Sequence, residues 1–367
     1  MEPANGRDMV AQFRGELLQD LYGYRYQEVA DNFDKYRFGF DGVDRSRMVD
    51  VKRLAAYLDF VITHLDKFIA ASQLFADGHS QALFYKLMLY RCLGHLHLRL
   101  REDFTAKTLD EMYARAAGYE TGPSPIQFEG LFGPIRHHEN VPTDGEPVAL
   151  DAWTGNVAYA LGHGDHRQYF FNRDGVRVAP AAGDYVIDGG ACFGDTAVLF
   201  ACAAGPEGRV FAFEPLPQHH EVIARNIDQN LLEERVYIVP NGLGAVTNHV
   251  AQIDPSLSGI ANPGFSLASI EHAVPVITID DFIASQGIGK MDFIKLDVEG
   301  YELAALQGAA HTLDTLRPKL AISLYHKPGD FFEIPLYLRE RHPHYRFHLD
   351  HYTIHYEETV LFAVPED

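Results

Sequence analysis

The chain has 367 residues, of which 47% are hydrophobic and 22% charged, which excludes disorder and fibrous repeats and allows one large or two medium domains. Thirty-one Lys and Arg against 51 Asp and Glu leave a formal charge of −20, so the overall field repels nucleic acid and anionic lipid surfaces. Cys92, Cys192 and Cys202 have neither disulfide-framework nor zinc spacing, the N-terminus has no secretory pattern, and no apolar run is long enough to span a bilayer, so a cytoplasmic protein without a membrane span is expected.

Along the chain, apolar residues from Val51 through Leu58, Leu65 and Ile69 recur at three- and four-residue steps and predict one helix from Met48 to about Ala76. Further helices are predicted from Gln81 to about Arg101 and from about Thr108 to Ala117. His95 and His97, two apart on the second of these, would point away from each other and share no ligand. Glycines and prolines between Gly118 and Gly145 predict an irregular connection. The aromatic N-terminal stretch (Tyr22, Tyr24, Tyr26, Phe33, Tyr36, Phe38, Phe40) suits packing or acceptor binding. The division expected is a mostly helical domain over 1–150, covering the acceptor or forming a homodimer contact, a connecting hairpin over 151–180 around Asn172-Arg-Asp-Gly175, and a cofactor-binding domain over 181–367.

After Pro180, short buried-strand runs alternate with helical segments: Tyr185 to Asp188, Val210 to Glu214, Val236 to Val239, Asp292 to Asp297 and Leu320 to Tyr325. This alternation predicts an α/β, Rossmann-like, doubly wound parallel sheet, and Tyr345 to Leu349 with Thr359 to Val364 predict a closing antiparallel pair.

The segment Val186-Ile-Asp-Gly-Gly-Ala-Cys-Phe-Gly-Asp-Thr196 leaves the first of these strands and enters a helix, where ligands of such sheets bind. Counting the dinucleotide spacing from Gly189 places Ala191 where a glycine is required, which disfavours an NAD-linked oxidoreductase as the alternative reading. The Asp188-x-Gly190-x-x-x-Gly194 form fits a loop around the amino-acid end of adenosylmethionine, with Gly189, Ala191, Cys192, Asp195 and Thr196 beside it. Asp188 would accept from the ammonium, or serve as a turn or capping residue. Glu214, followed by Pro215, ends the second strand, where a carboxylate can take both ribose hydroxyls, and Asn241 follows the third. Cys192 has no base near in sequence and is read as a packing residue.

Met291-Asp-Phe-Ile-Lys-Leu-Asp-Val-Glu-Gly-Tyr-Glu302 with Leu306-Gln-Gly-Ala309, together with the glycine loop and Glu214-Pro215, resembles the FkbM family of methyltransferases over about Tyr169 to the C-terminus. Val274-Pro-Val-Ile-Thr-Ile-Asp-Asp281 and Glu358-Thr-Val-Leu-Phe-Ala-Val364 extend the likeness, while Ser323 stands where relatives often carry Glu. The resemblance implies a seven-stranded class I methyltransferase sheet, S-adenosyl-L-methionine as cofactor, and a hydroxyl acceptor on a sugar, glycolipid or natural product. A cofactor-binding module without catalysis is the further alternative.

In-line methyl transfer needs orientation and a base for the acceptor hydroxyl. The ends of the fourth and fifth strands nominate His326, Asp297, Glu299 and Lys295, with His326 the base by its intrinsic pKa and Asp297 also a cofactor contact. Lys295, Glu299 and Glu302 could equally be an ion-pair cluster fixing the turn, Glu302 stabilising the helix start. Asp297, Glu299 and His326 are types that suit Mg²⁺ or Mn²⁺, but the site is read as metal-free.

Overall fold

A computed structural model describes residues 6–27, 29, 32, 34–38, 51–95, 97–130, 133–162, 167–248, 250–251 and 274–366. Phe33, Phe40 and Met48 lie outside the described residues. The strands of the central sheet are β1 (Tyr185–Gly189), β2 (Arg209–Phe213), β3 (Val236–Val239), β4 (Phe293–Leu296), β5 (Lys319–Ser323), β6 (Tyr345–His351) and β7 (Thr359–Pro365). Their spatial order is β3-β2-β1-β4-β5-β7-β6, and β7 runs antiparallel to both of its neighbours. Strands β1, β2, β4 and β5 are buried on both faces, which is why they read as nearly continuous apolar runs, whereas β3 at the edge exposes Tyr237.

Strand alternation divides the core into two layers. Ile187, Ile294, Leu320 and Ile322 face one cluster, which also takes in Leu17, Val61, Phe68, Phe84 and Leu87 of the N-terminal helices. Val186, Val210, Phe293 and Ala321 face the other, with Val198 and Phe200 of the helix after β1 and with Met112, Leu150 and Val157. The helices of the first hundred residues thus bury their apolar faces against the same sheet. They also cover its β6 edge: Ala76 N–H donates to Phe347 O at 2.9 Å, and Tyr90 Oη donates to Ile354 O at 2.7 Å. An unpaired edge strand is an aggregation template, and this cover removes the exposure. Behind it, Arg101 pairs with Asp350 at 3.1 Å, both side chains buried.

Three local expectations are corrected. The helix expected over Met48 to Ala76 is two, Val51–Thr63 and Leu65–Ser72, broken at His64, whose ring Nδ1 reaches the Phe60 carbonyl at 2.9 Å. The helix expected to run to Arg101 spans Gly78–Leu93 and stops at Gly94, which holds φ +81, a conformation glycine adopts without penalty. His95 and His97 therefore sit beyond the helix, and His97 Nδ1 bonds Gln27 O at 2.9 Å. The connection expected over Gly118 to Gly145 contains two strands, Glu120–Pro123 and Arg136–Val141, of a three-stranded antiparallel sheet that Val148–Ala152 completes. Its central strand is polar, and its pairing is helped by Arg136 Nε donating to Glu120 across the strands at 2.7 Å, which no apolar period announces.

The hairpin of Phe171–Arg173 with Val176–Val178 forms as its turn residues require, with Asp174 at φ 50 and Gly175 at φ 79. Among the described residues no helix is long and apolar enough to cross a membrane.

Candidate active site

The sheet order reverses between β1 and β4, so the crevice at their carboxyl ends is where a ligand binds in this architecture. The loop leaving β1 enters the crevice through residues at positive φ: Gly190 at 78, Cys192 at 48 and Gly194 at 77. A Cβ at Gly190 would lie 1.9 Å from the Asp297 carbonyl oxygen, so only glycine fits where the loop crosses the end of β4. Gly190 and Ala191 N–H both donate to Phe213 O at 3.0 Å, and Gly194 N–H donates to Ala191 O at 2.6 Å.

Parallel register places Lys295 opposite Asp188 and Leu296 opposite Gly189. Asp188 is fully buried; its Oδ1 lies 3.0 Å from Lys295 Nζ, and its Oδ2 accepts from Thr196 Oγ1 at 2.7 Å. Lys295, also buried, donates to Gly190 O at 2.7 Å. Burial opposes its charge, but the Asp188 and Asp297 carboxylates hold its pKa above the ordinary lysine value. Together the two side chains tie the loop's first turn to β4.

Glu214 stands at the end of β2 and is 4% exposed. Its Oε2 accepts from Cys192 N–H at 2.9 Å and its Oε1 from Leu216 N–H at 2.9 Å, so the carboxylate is fixed from both sides. Each oxygen keeps a further lone pair, and Glu214 lines the cavity.

The cavity is one continuous space lined by Gly190, Ala191, Cys192, Asp195 and Thr196 of the loop and its helix, by Glu214 and Pro215 after β2, and by Asn241 after β3. Lys295, Asp297, Glu299 and His326 line the same space. Asp188, Gly189 and Gly194 are not among the lining residues and support the loop from behind. Burial, with Asp188 adding to it, pushes the Asp195 pKa up to about 6. Burial likewise raises the Cys192 thiol well above its ordinary value, in keeping with a packing residue.

At the end of β4, Asp297 Oδ2 accepts from Tyr169 Oη at 2.7 Å and its Oδ1 from Tyr325 Oη at 2.9 Å. Burial raises the Asp297 pKa, but Lys295 and His326 outweigh it, and the net direction is down. The His326 ring has Nε2 3.5 Å from both Asp297 Oδ1 and Glu299 Oε2, and Nδ1 2.8 Å from Glu302 Oε1. Burial opposes a charge on that ring too, but Glu302, Glu299 and Asp297 prevail and push its pKa up to about 10. These three carboxylates thus hold the ring above the intrinsic pKa that nominated His326 as a base. Glu302 Oε1 accepts from Val298 N–H at 2.9 Å, so this carboxylate braces the turn before its own helix.

The same cluster reaches Asp330, whose Oδ2 accepts from Lys327 N–H at 2.8 Å. Burial, then Glu302, raises the Asp330 pKa to about 7. A carboxyl whose folded pKa lies above its unfolded value contributes stability below about pH 4 that is lost as pH rises through about 7. Asp330→Asn keeps the acceptor and does not ionise, so its stability relative to the parent should rise by about 4 kcal/mol between pH 4 and pH 8. Urea unfolding at both pH values measures this, and a pH-independent difference would refute it.

Trp153, Asn156, Tyr159, Tyr169 and Tyr325 also line the cavity and were not anticipated. Tyr325 adjoins His326 at the end of β5, so the strand-end rule could have found it. The other four precede the glycine loop in the chain and carry no local signal of convergence.

Residues 188–348 match the methyltransferase FkbM domain. Over these residues the chain is similar to the FkbM methyltransferases. The matched span is shorter than the resemblance expected from about Tyr169 onward. The hexuronic acid methyltransferase AglP of Haloferax volcanii is 30% identical over 118 residues, 32% of this chain and 47% of that protein. A crystal structure of the FkbM methyltransferase from Methylobacillus flagellatus KT aligns with a TM-score of 0.50 at 19% identity, over 83% of this chain and 60% of that one. The chain thus spans about half the length of the curated relative it matches. The FkbM domain takes in β1 from Asp188 to most of β6, and with them the glycine loop, Glu214 and the Asp297–His326 cluster.

Proposed function

We propose that the chain is an S-adenosyl-L-methionine-dependent O-methyltransferase that acts in the cytoplasm on a hydroxyl of a sugar, glycolipid or natural-product acceptor. The observation that carries this reading is Glu214: a carboxylate immobilised by two backbone N–H groups that still lines the cavity beside the glycine loop. Its two remaining lone pairs suit the vicinal hydroxyls of a ribose, so the residues present fit the nucleoside. A dinucleotide would instead require loop amides pointing at a pyrophosphate. Here the amides of Gly190, Ala191, Cys192 and Gly194 are already engaged by Phe213 O, Glu214 and Ala191 O. The relative named as a hexuronic acid methyltransferase supports a sugar acceptor.

When bound, adenosylmethionine supplies an electrophilic methyl group. The chain's part is to hold the nucleoside through Glu214 and to orient an acceptor oxygen at the Asp297, Glu299 and His326 end of the cavity. With His326 charged in the resting site, the acceptor's proton passes to Asp297 or Glu299, and the imidazolium donates to the acceptor oxygen. A base so placed typically contributes ~10²–10⁴-fold. Lys295 acts as a positioning residue for the loop.

Calorimetry should show adenosylhomocysteine binding at micromolar levels and no binding of NADH. Transfer of labelled methyl to one of a panel of hydroxylated glycans, read by mass spectrometry, would then separate an enzyme from a binding module. Tight NADH binding without adenosylhomocysteine binding overturns the proposal.

A further inference from the structure

We propose that Asp297, Glu302 and His326 form a site for an oxygen-preferring divalent cation, Mg²⁺ or Mn²⁺, at the acceptor end of the cavity, in place of the metal-free site expected from the sequence. One carboxylate oxygen from each acid and one ring nitrogen of His326 lie within 4.8 Å of one another. Bonds of about 2.1 Å to a central ion place ligand atoms no more than about 4.2 Å apart, so a small inward adjustment closes the set. The three come from adjacent rigid elements: Asp297 follows β4, His326 lies three residues beyond the end of β5, which pairs with β4, and Glu302 opens the helix Glu302–Gln307.

The second observation is unmet bonding capacity in these same side chains. Glu302 is fully buried, and its Oε2 has no hydrogen-bond partner. The His326 side chain is 2% exposed, and its Nδ1, although 2.8 Å from Glu302 Oε1, makes no hydrogen bond there. Orphaned buried atoms of this kind are uncommon in folded proteins and call for a ligand or an ion.

Charge points the same way. Asp297, Glu299 and Glu302 surround a single imidazole. Lys295 is committed to Asp188 and Gly190 O, and Lys327 donates to Gly300 O. Two carboxylates with one imidazole are a donor set that suits Mn²⁺ or Mg²⁺ over softer metals. Because Asp297 and His326 line the cavity, an ion there would keep coordination positions open on that side. Resting on the methyl-transfer reading, an ion entering the site would release the His326 ring proton to solvent, ligate the acceptor hydroxyl in place of the ring N–H and lower its pKa, leaving Glu299 to take the hydroxyl proton; the ion site itself does not depend on that reading.

The test is a Mn²⁺ titration of the full-length chain without nucleoside, followed by electron paramagnetic resonance. The expected result is one Mn²⁺ per chain, displaced by Mg²⁺, with affinity at least ~10-fold weaker in Asp297→Asn and in His326→Gln and unchanged in Glu207→Gln, an exposed acid in the turn before β2. Circular dichroism checks each variant, and either of the first two that folds carries the test. No binding at millimolar Mn²⁺, or equal binding in all variants, overturns the site. Methyl transfer that persists after chelation in a chain that binds no Mn²⁺ overturns it while leaving the proposed function standing. Stoichiometric Mn²⁺ without any methyl transfer supports the site and counts against the function alone.

Discussion

Glu214→Ala should weaken adenosylhomocysteine binding by about 10²- to 10⁴-fold, the largest loss expected from any single substitution in the cavity. Hydrogen bonds to a charged group contribute about 1.5–3 kcal/mol each, and two of them to a ribose diol set that range. Glu214→Gln should not be silent either. Both carboxylate oxygens accept from backbone N–H groups, of Cys192 and Leu216, so the amide of a glutamine must turn its NH₂ toward one of those donors. One of the two anchors, in the loop or in the turn after β2, is then lost in either rotamer. Calorimetry with adenosylhomocysteine measures both variants, and an Ala variant that binds as tightly as the parent would remove Glu214 from the site and the proposed function with it.

Lys295→Met should destabilise the folded chain by about 3–5 kcal/mol, because it strands the Asp188 carboxylate without its ion-pair partner in a fully buried position. Thr196 Oγ1 alone cannot compensate for the lost charge. The double variant with Asp188→Asn should recover much of the loss, since removing both members of a buried pair is far less costly than removing one. Chemical denaturation of the two single variants and the double completes the cycle. A lysine with a directly chemical role would behave differently: Lys295→Met would lose turnover at unchanged stability, and the double variant would restore nothing. That pattern would falsify the bracing role.

These expectations show where the sequence could and could not be read. Gly190 and Gly194 were legible because only glycine tolerates the φ values and the close passage over Asp297 that the loop requires. Glu214 was legible because the end of a buried strand fixes where the next side chain must emerge. Asp188 and Lys295 were recognised as important, but their partnership depends on register between strands more than a hundred residues apart, and nothing local encodes it. The lining contributed ahead of the glycine loop was not legible at all. Trp153, Asn156 and Tyr159 belong to the turn and helix ahead of the glycine loop, and Tyr169 lies ahead of the hairpin.

His326 illustrates the same division at the level of chemistry. Its identity and its place just beyond a strand end could be read from the chain, and its intrinsic pKa made it a base. The rise in its pKa follows from Glu302, Glu299 and Asp297 gathered around it, a through-space sum that the chain order does not reveal.

Strand by strand, the amino-acid sequence determined the alternating architecture, the glycine loop and the carboxylate at the end of β2, because each rests on local backbone geometry and periodic burial. Only the tertiary structure decided that the first hundred residues share the sheet's core, that Lys295 pairs with Asp188, and that three carboxylates gather around His326. Those outcomes are set by register and packing between distant segments, whose energies depend on separation in space and not along the chain.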